Sequence, residues 1–195
     1  MVNRFSMKRL FILFILSFLV FSCRDEDEIR KEEAQRAAQK QSEIFKAINE
    51  SWKFKPADFS EEAYTIVQEW AEWNMFYNEL LQKPQTNISA FQRKSKMLVN
   101  YSEALESTIP EVFNIPQVQS RFEVLDTKLK LLKTYITLDD IPTEKVIKTV
   151  KEINIEVESV VSRMKTILEK NKIQREEGET ELLESIKKSE EIPSP

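Results

Sequence analysis

Residues 116–136 read PQVQSRFEVLDTKLKLLKTYI, and residues 143–168 read TEKVIKTVKEINIEVESVVSRMKTIL. In the first stretch Val118, Phe122, Leu125, Leu129, Leu132 and Ile136 stand 4, 3, 4, 3 and 4 residues apart. In the second, Val146, Val150, Ile153, Val157, Val160, Met164 and Ile167 keep the same alternation. Strand side chains alternate with a period of two, so this spacing marks one apolar seam on each of two helices. Pro116 suits a first helical turn. The second helix is expected to start after Asp140, with Pro142 in its first turn. The short link at residues 137–141 predicts an antiparallel hairpin. Ile147, Val161, Leu168, Leu131 and Val124 widen the stripes beyond a two-stranded seam, which disfavours an elongated coiled coil and calls for further helices.

Those helices are found upstream. Residues 58–83 carry Ala63, Ile66, Val67, Trp70, Trp73, Tyr77, Leu80 and Leu81 at helical spacing, ahead of Pro84. Asp58 with Glu61 three residues on predicts a capping box and a single helix. Residues 89–109 carry Phe91, Leu98, Leu105 and Ile109, with Ser89 and Gln92 in capping-box positions. Ser95 and Ser102 interrupt this stripe and predict looser burial. Pro110 stops it, and Val112, Phe113 and Ile115 are expected to fold back over one end of the core. Ile44, Ile48 and Trp52, beside Phe45 and Ala47, form a shorter apolar element that ends at Lys55-Pro56. The chain has one glycine, Gly178, where sheets and phosphate-binding loops would demand several. The expected fold is all-α, an antiparallel four-helix bundle over residues 44–170 with residues 44–54 as a fifth element. Residues 23–43 are expected to be an acidic, polar tether, and residues 171–195 a charged tail without regular structure.

The amino-terminal end carries an address. Lys8 and Arg9 precede a run of apolar residues from Leu10 to Phe21, followed by Ser22 and Cys23. A basic start, a short apolar run and a small residue before the break are the parts of a secretory signal. The run is too short to span a bilayer comfortably, for which about 20 apolar residues are needed. Val20-Phe21-Ser22-Cys23 resembles the lipobox of bacterial lipoprotein precursors, although Phe21 is bulkier than the usual residue at its place. The resemblance implies removal of residues 1–22, a diacylglyceryl group on the Cys23 sulfur and acylation of the new terminus. Two or more chains hold a protein firmly where one binds only marginally. The next residues, Arg24, Asp25, Glu26, Asp27 and Glu28, look like the export signal of surface-displayed lipoproteins of the Bacteroidota. That likeness implies the outer membrane, facing the surface ahead of the periplasm.

Composition narrows the chemistry. The full chain has 29 Lys and Arg against 33 Asp and Glu; without residues 1–22 it keeps 26 basic and 33 acidic side chains, a net −7. Nucleic acid requires a basic footprint and is not an expected partner. Histidine is absent and Cys23 is the single cysteine, which removes triads, thiol nucleophiles and the usual zinc ligands. Glu152, Glu156 and Glu158, and Glu61, Glu62, Glu69 and Glu72, could flank a glycosidic bond. Their interleaving with Lys145, Lys148 and Lys151 reads instead as a solvated, ion-paired face. No catalytic residue, metal or cofactor is expected. Trp70, Trp73, Phe76 and Tyr77, with Trp52 nearby, are the candidate binding patch, with Trp73 or Phe76 expected at the surface. The expected function is non-catalytic protein–protein interaction in the cell envelope. The alternative is a carrier of an apolar small molecule in a cavity near Trp70 and Trp73.

Overall fold

The computed structural model describes the backbone of residues 4–190 and the side chains of residues 26–172 and of Leu182. The chain divides into two units, Met1–Ile44 and Phe45–Pro195. The described part of the first unit is helical, within α1 (Arg4–Ser51). Every side chain from 26 to 43 is exposed. Pairs one turn apart support it: Arg30 with Glu26 at 3.7 Å, Arg36 with Glu32 at 3.2 Å, and Gln39 donating to Glu43 at 3.0 Å. A helix that is polar all round lives on such pairs. Among the described residues no helix is long and apolar enough to cross a membrane.

The second unit is an all-α bundle, with no strand among the described residues. It contains α2 (Glu61–Glu69), α3 (Ala71–Leu81), α4 (Ile88–Ser107), a 3-10 turn (Glu111–Phe113), α5 (Pro116–Ile136) and α6 (Thr143–Glu190). Successive walls pack in chain order: α3 on α4, α4 on α5, α5 on α6, and α2 against α6 closes the ring. The two seams of α5 and α6 are buried from Val118 to Ile136 and from Val146 to Ile167. Phe113 is fully buried in the 3-10 turn, which packs on α6 and lids the core as its apolar sequence requires. The last turn of α1 joins this unit: Trp52 packs on Phe91 at 5.5 Å and donates its indole N–H to the Leu80 carbonyl at 2.9 Å.

Several local readings are corrected. Residues 58–83 form two helices, broken at Trp70, whose φ of −85° and ψ of 92° are extended. The cap of α2 is Ser60, which accepts from the Ala63 N–H at 3.3 Å, and not Asp58, which pairs with Lys165 at 3.0 Å. The cap of α4 is Asn87, accepting from Ala90 N–H at 3.1 Å. Gln92, read as part of a capping box there, donates instead to the Ile136 carbonyl at the end of α5, at 3.0 Å. Ser95 and Ser102 are 1% and 2% exposed, so α4 is buried along its whole stripe. Their hydroxyls are satisfied, Ser95 by the Gln92 carbonyl at 2.9 Å and Ser102 by Asp126 at 2.7 Å. α6 begins at Thr143, with Pro142 offering its carbonyl to Val146 N–H at 3.1 Å from just outside the helix. Residues 171–190, expected to lack regular structure, continue α6 to Glu190; Glu, Lys and Leu are strong helix formers and propagate a helix once it is nucleated.

Candidate functional site

The aromatic patch is assembled by the break between α2 and α3. In an unbroken helix Trp70 and Phe76 would stand about 120° apart around the axis, too far to share one buried face. Extending the backbone at Trp70 resets the phase. The break leaves carbonyls without helical partners, and they are met locally. Trp70 N–H donates to the Val67 carbonyl at 3.1 Å, and Asn74 Nδ2 donates to the carbonyls of Val67 and Gln68 at 3.3 and 2.9 Å. Trp70 Nε1 donates to Thr108 Oγ1 at 3.0 Å, fastening the break to the end of α4.

The result is a packed core and not a surface. Trp70, Trp73 and Phe76 are 4%, 1% and 0% exposed, so the expectation that Trp73 or Phe76 faces solvent fails. The two indoles stack at 5.7 Å and 26°, and Phe122 of α5 meets both edge-on, 5.8 Å from Trp70 and 6.3 Å from Trp73. Phe59 closes the other side at 6.1 Å. Such offset and edge contacts are the preferred geometries of aromatic pairs.

Tyr77 alone of the four reaches the outside. Its ring stacks on Trp73 at 5.2 Å and 13°, and its hydroxyl donates to the Lys55 carbonyl at 2.6 Å. It thereby clasps the irregular strap between α1 and α2 to the bundle, assisted by the Asp58–Lys165 ion pair. Beneath the strap lies a recess of about 310 Å³, lined by Phe54, Pro56, Tyr77, Val157 and Val161 with Asp58, Glu158 and Lys165 at its rim. Burial, and then the nearby Glu158 carboxylate, raise the Tyr77 pKa above its usual 10.0. A raised folded pKa means that the stabilisation is complete below the ordinary tyrosine range and is lost as pH climbs past it. Tyr77→Phe is therefore expected to cost about 1 kcal/mol, to speed trypsin cleavage after Lys53, and to remove the tyrosine's share of the alkaline decline in stability expected of the wild type.

Of the carboxylates weighed for catalysis, Glu152 and Glu156 pair from α6 to α5, and Glu158 bonds within α6. Glu152 accepts from Lys128 at 2.8 Å and stands 3.8 Å from Lys148; Glu156 lies 3.5 Å from Arg121; Glu158 accepts from Asn154 at 2.9 Å. The Lys128 hydrogen bond holds the Glu152 carboxyl below the ordinary range, so this contact is lost only as pH falls through that lowered value. Glu61 and Glu62 occupy the first turn of α2, where negative charge favours the helix dipole. Among the described residues no cluster of three His, Cys, Asp or Glu is placed to hold a metal ion.

Of the anchor and export residues, the side chains of Cys23, Arg24 and Asp25 lie outside the described residues. Glu26, Asp27 and Glu28 are exposed, and Glu26 forms the ion pair with Arg30. The periodicity reading missed the buried pair of Lys94 on α4 and Glu79 on α3. Lys94 is 6% exposed and donates to both the carboxylate and the backbone carbonyl of Glu79. Its place between Phe91 and Leu98 on the apolar stripe was the available signal. No protein-family model, curated protein or solved structure matches the chain.

Proposed function

We propose that this chain is a lipid-anchored, non-catalytic protein of the bacterial outer membrane whose helical bundle binds another envelope protein, as an accessory subunit of a membrane or surface complex. The anchor rests on Cys23, placed directly after the basic and apolar signal, and surface display rests on residues 24–28. The binding role rests on the packing of Trp70, Trp73 and Phe76. The aromatic residues that would line an internal ligand cavity fill the core themselves. That packing supports a partner meeting the bundle from outside over a ligand held among these residues.

Labelling with radioactive palmitate is expected to mark the wild-type chain and to leave Cys23→Ala unmarked. Protease added to intact cells is expected to digest the wild type. A variant with Asp25, Glu26, Asp27 and Glu28 all changed to Ala is expected to be acylated yet protected. An unlabelled wild type removes the anchor; equal digestion of both proteins removes the export role. Crosslinking in intact cells is expected to join the wild-type chain to an envelope protein, and its failure to do so counts against the binding role.

A further inference from the structure

Residues 53–69, the strap and α2, are held differently from the rest of the bundle. Within this stretch only Ala63 and Val67 have buried side chains. Strap residues 53–59 make no backbone-to-backbone hydrogen bond among the described residues. α2 has 9 residues, short of the ~12–15 that an isolated helix needs in water, so it depends on its docking. Hollows underlie both parts. One is the recess of about 310 Å³ between the strap and α6, and another of about 470 Å³ lies between the first turn of α2 and Leu168, Glu169 and Lys172 of α6. Side chains that border a hollow have no partner atoms on that side and forgo those contacts.

The two ends of the stretch, by contrast, are fixed. Trp52 and Trp70 are each 4% exposed, and their indole N–H groups donate to the Leu80 carbonyl at 2.9 Å and to the Thr108 hydroxyl at 3.0 Å. Between these points the strap is fastened to the helices by the Tyr77 hydroxyl on the Lys55 carbonyl, by Phe59 edge-on to Trp73 at 6.1 Å, and by Asp58 with Lys165 at 3.0 Å. The Asp58 side chain is 98% exposed, so its ion pair is solvated and weak, which leaves the tyrosine hydroxyl as the main polar latch. Few buried apolar side chains and unpaired backbone are the marks of a region that opens at less cost than global unfolding. Fixed ends around a loosely held middle make a flap and not a fraying terminus.

We propose that residues 53–69 open as one unit, hinged at Trp52 and Trp70, while α3, α4, α5 and α6 stay folded, with the Tyr77 hydroxyl as the latch. Opening parts Phe59 from Trp73, so the aromatic cluster, core in the closed state, gains an exposed edge in the open one. The opening is a property of the bundle itself and is independent of the binding role argued above.

The test is amide hydrogen exchange of the full chain, followed by mass spectrometry. In the wild type the amides of α2 are expected to exchange at least about tenfold faster than those of α5. Their exchange is expected to depend less on urea, since a flap exposes less surface than the whole bundle. Ile153→Val trims a side chain of α6 that is 0% exposed and lies outside the flap. It weakens the closed and open states alike, and is expected to speed exchange in α5 about fivefold while leaving α2 unchanged. Tyr77→Phe weakens the closed state alone and is expected to speed exchange in α2 about fivefold. Each variant loses a single methyl or hydroxyl group and is expected to fold, and the wild-type comparison needs neither. Equal exchange of α2 and α5 in the wild type, or equal acceleration of both by Ile153→Val, overturns the proposal, because α2 is then lost only with the whole bundle. Unchanged exchange of α2 in Tyr77→Phe overturns it as well, because α2 then opens without the strap.

Discussion

Lys94→Ala is expected to destabilise the bundle by about 3 kcal/mol, measured by urea unfolding followed by circular dichroism. The lysine side chain is 7% exposed and that of Glu79 is 16% exposed, so removing the ammonium leaves a carboxylate with little water to replace it. The Glu79 backbone carbonyl loses its Lys94 hydrogen bond at the same time. Breaking one half of a buried pair typically costs about 3–5 kcal/mol, and the residual exposure of Glu79 places this case at the low end. The double change Lys94→Met with Glu79→Leu separates the charge from the packing. It removes both ions and keeps most of the volume, and it is expected to unfold within about 1 kcal/mol of the wild type or to be more stable. A Lys94→Ala loss under about 1 kcal/mol, the range of an exposed ion pair, would show that water reaches the pair freely.

Trp73→Ala is expected to cost about 3–5 kcal/mol, the range for removing a buried aromatic side chain. Trp73 is 1% exposed and stands at the centre of the cluster, in ring contact with Phe59, Trp70, Phe76, Tyr77 and Phe122. Those neighbours come from the strap, α3, α5 and the break itself, so the hole cannot collapse around one flexible neighbour. Tyr64→Ala is the control: Tyr64 is 61% exposed on α2 and is expected to change stability by no more than about 0.5 kcal/mol. Equal effects of the two substitutions would contradict the buried placement of the cluster. A Trp73→Ala protein that binds its partner as well as the wild type, at temperatures where it remains folded, would agree with a core role for these aromatics and a docking role elsewhere.

The parts of the molecule that were legible in advance are those written in local periodicity. The seams of α5 and α6, the short hairpin between them, the Pro110 stop and the inward fold of Phe113 all follow from residue spacing and from the restrictions proline places on its neighbours. The break at Trp70 was not legible from propensity, because Glu69, Trp70 and Ala71 contain no breaker. The one hint was Asn74, a residue whose side chain competes for backbone hydrogen bonds and here takes the carbonyls the break releases. Lys94 and Asp126 were harder still. Lys94 stood on the apolar stripe of α4, but the partner that makes its burial tolerable, Glu79, is on another helix, as is the Ser102 that meets Asp126.

The candidate site divides along the same line. The lipid-attachment reading of Cys23 and the export reading of residues 24–28 are carried wholly by linear order. The aromatic group belongs to the opposite case. Spacing placed Trp70, Trp73, Phe76 and Tyr77 together but left their facing open, and a phase reset at one residue turned three of them inward. The recess beneath the strap had no linear signature, because it is made where the strap meets a helix about 100 residues later in the chain. Sequence alone determined that this protein is helical and where its seams run, since both depend on residue type and near-neighbour spacing. Only the tertiary structure decided which aromatics are core, which charges are buried and which large apolar side chains stay exposed, because burial is a property of what packs opposite.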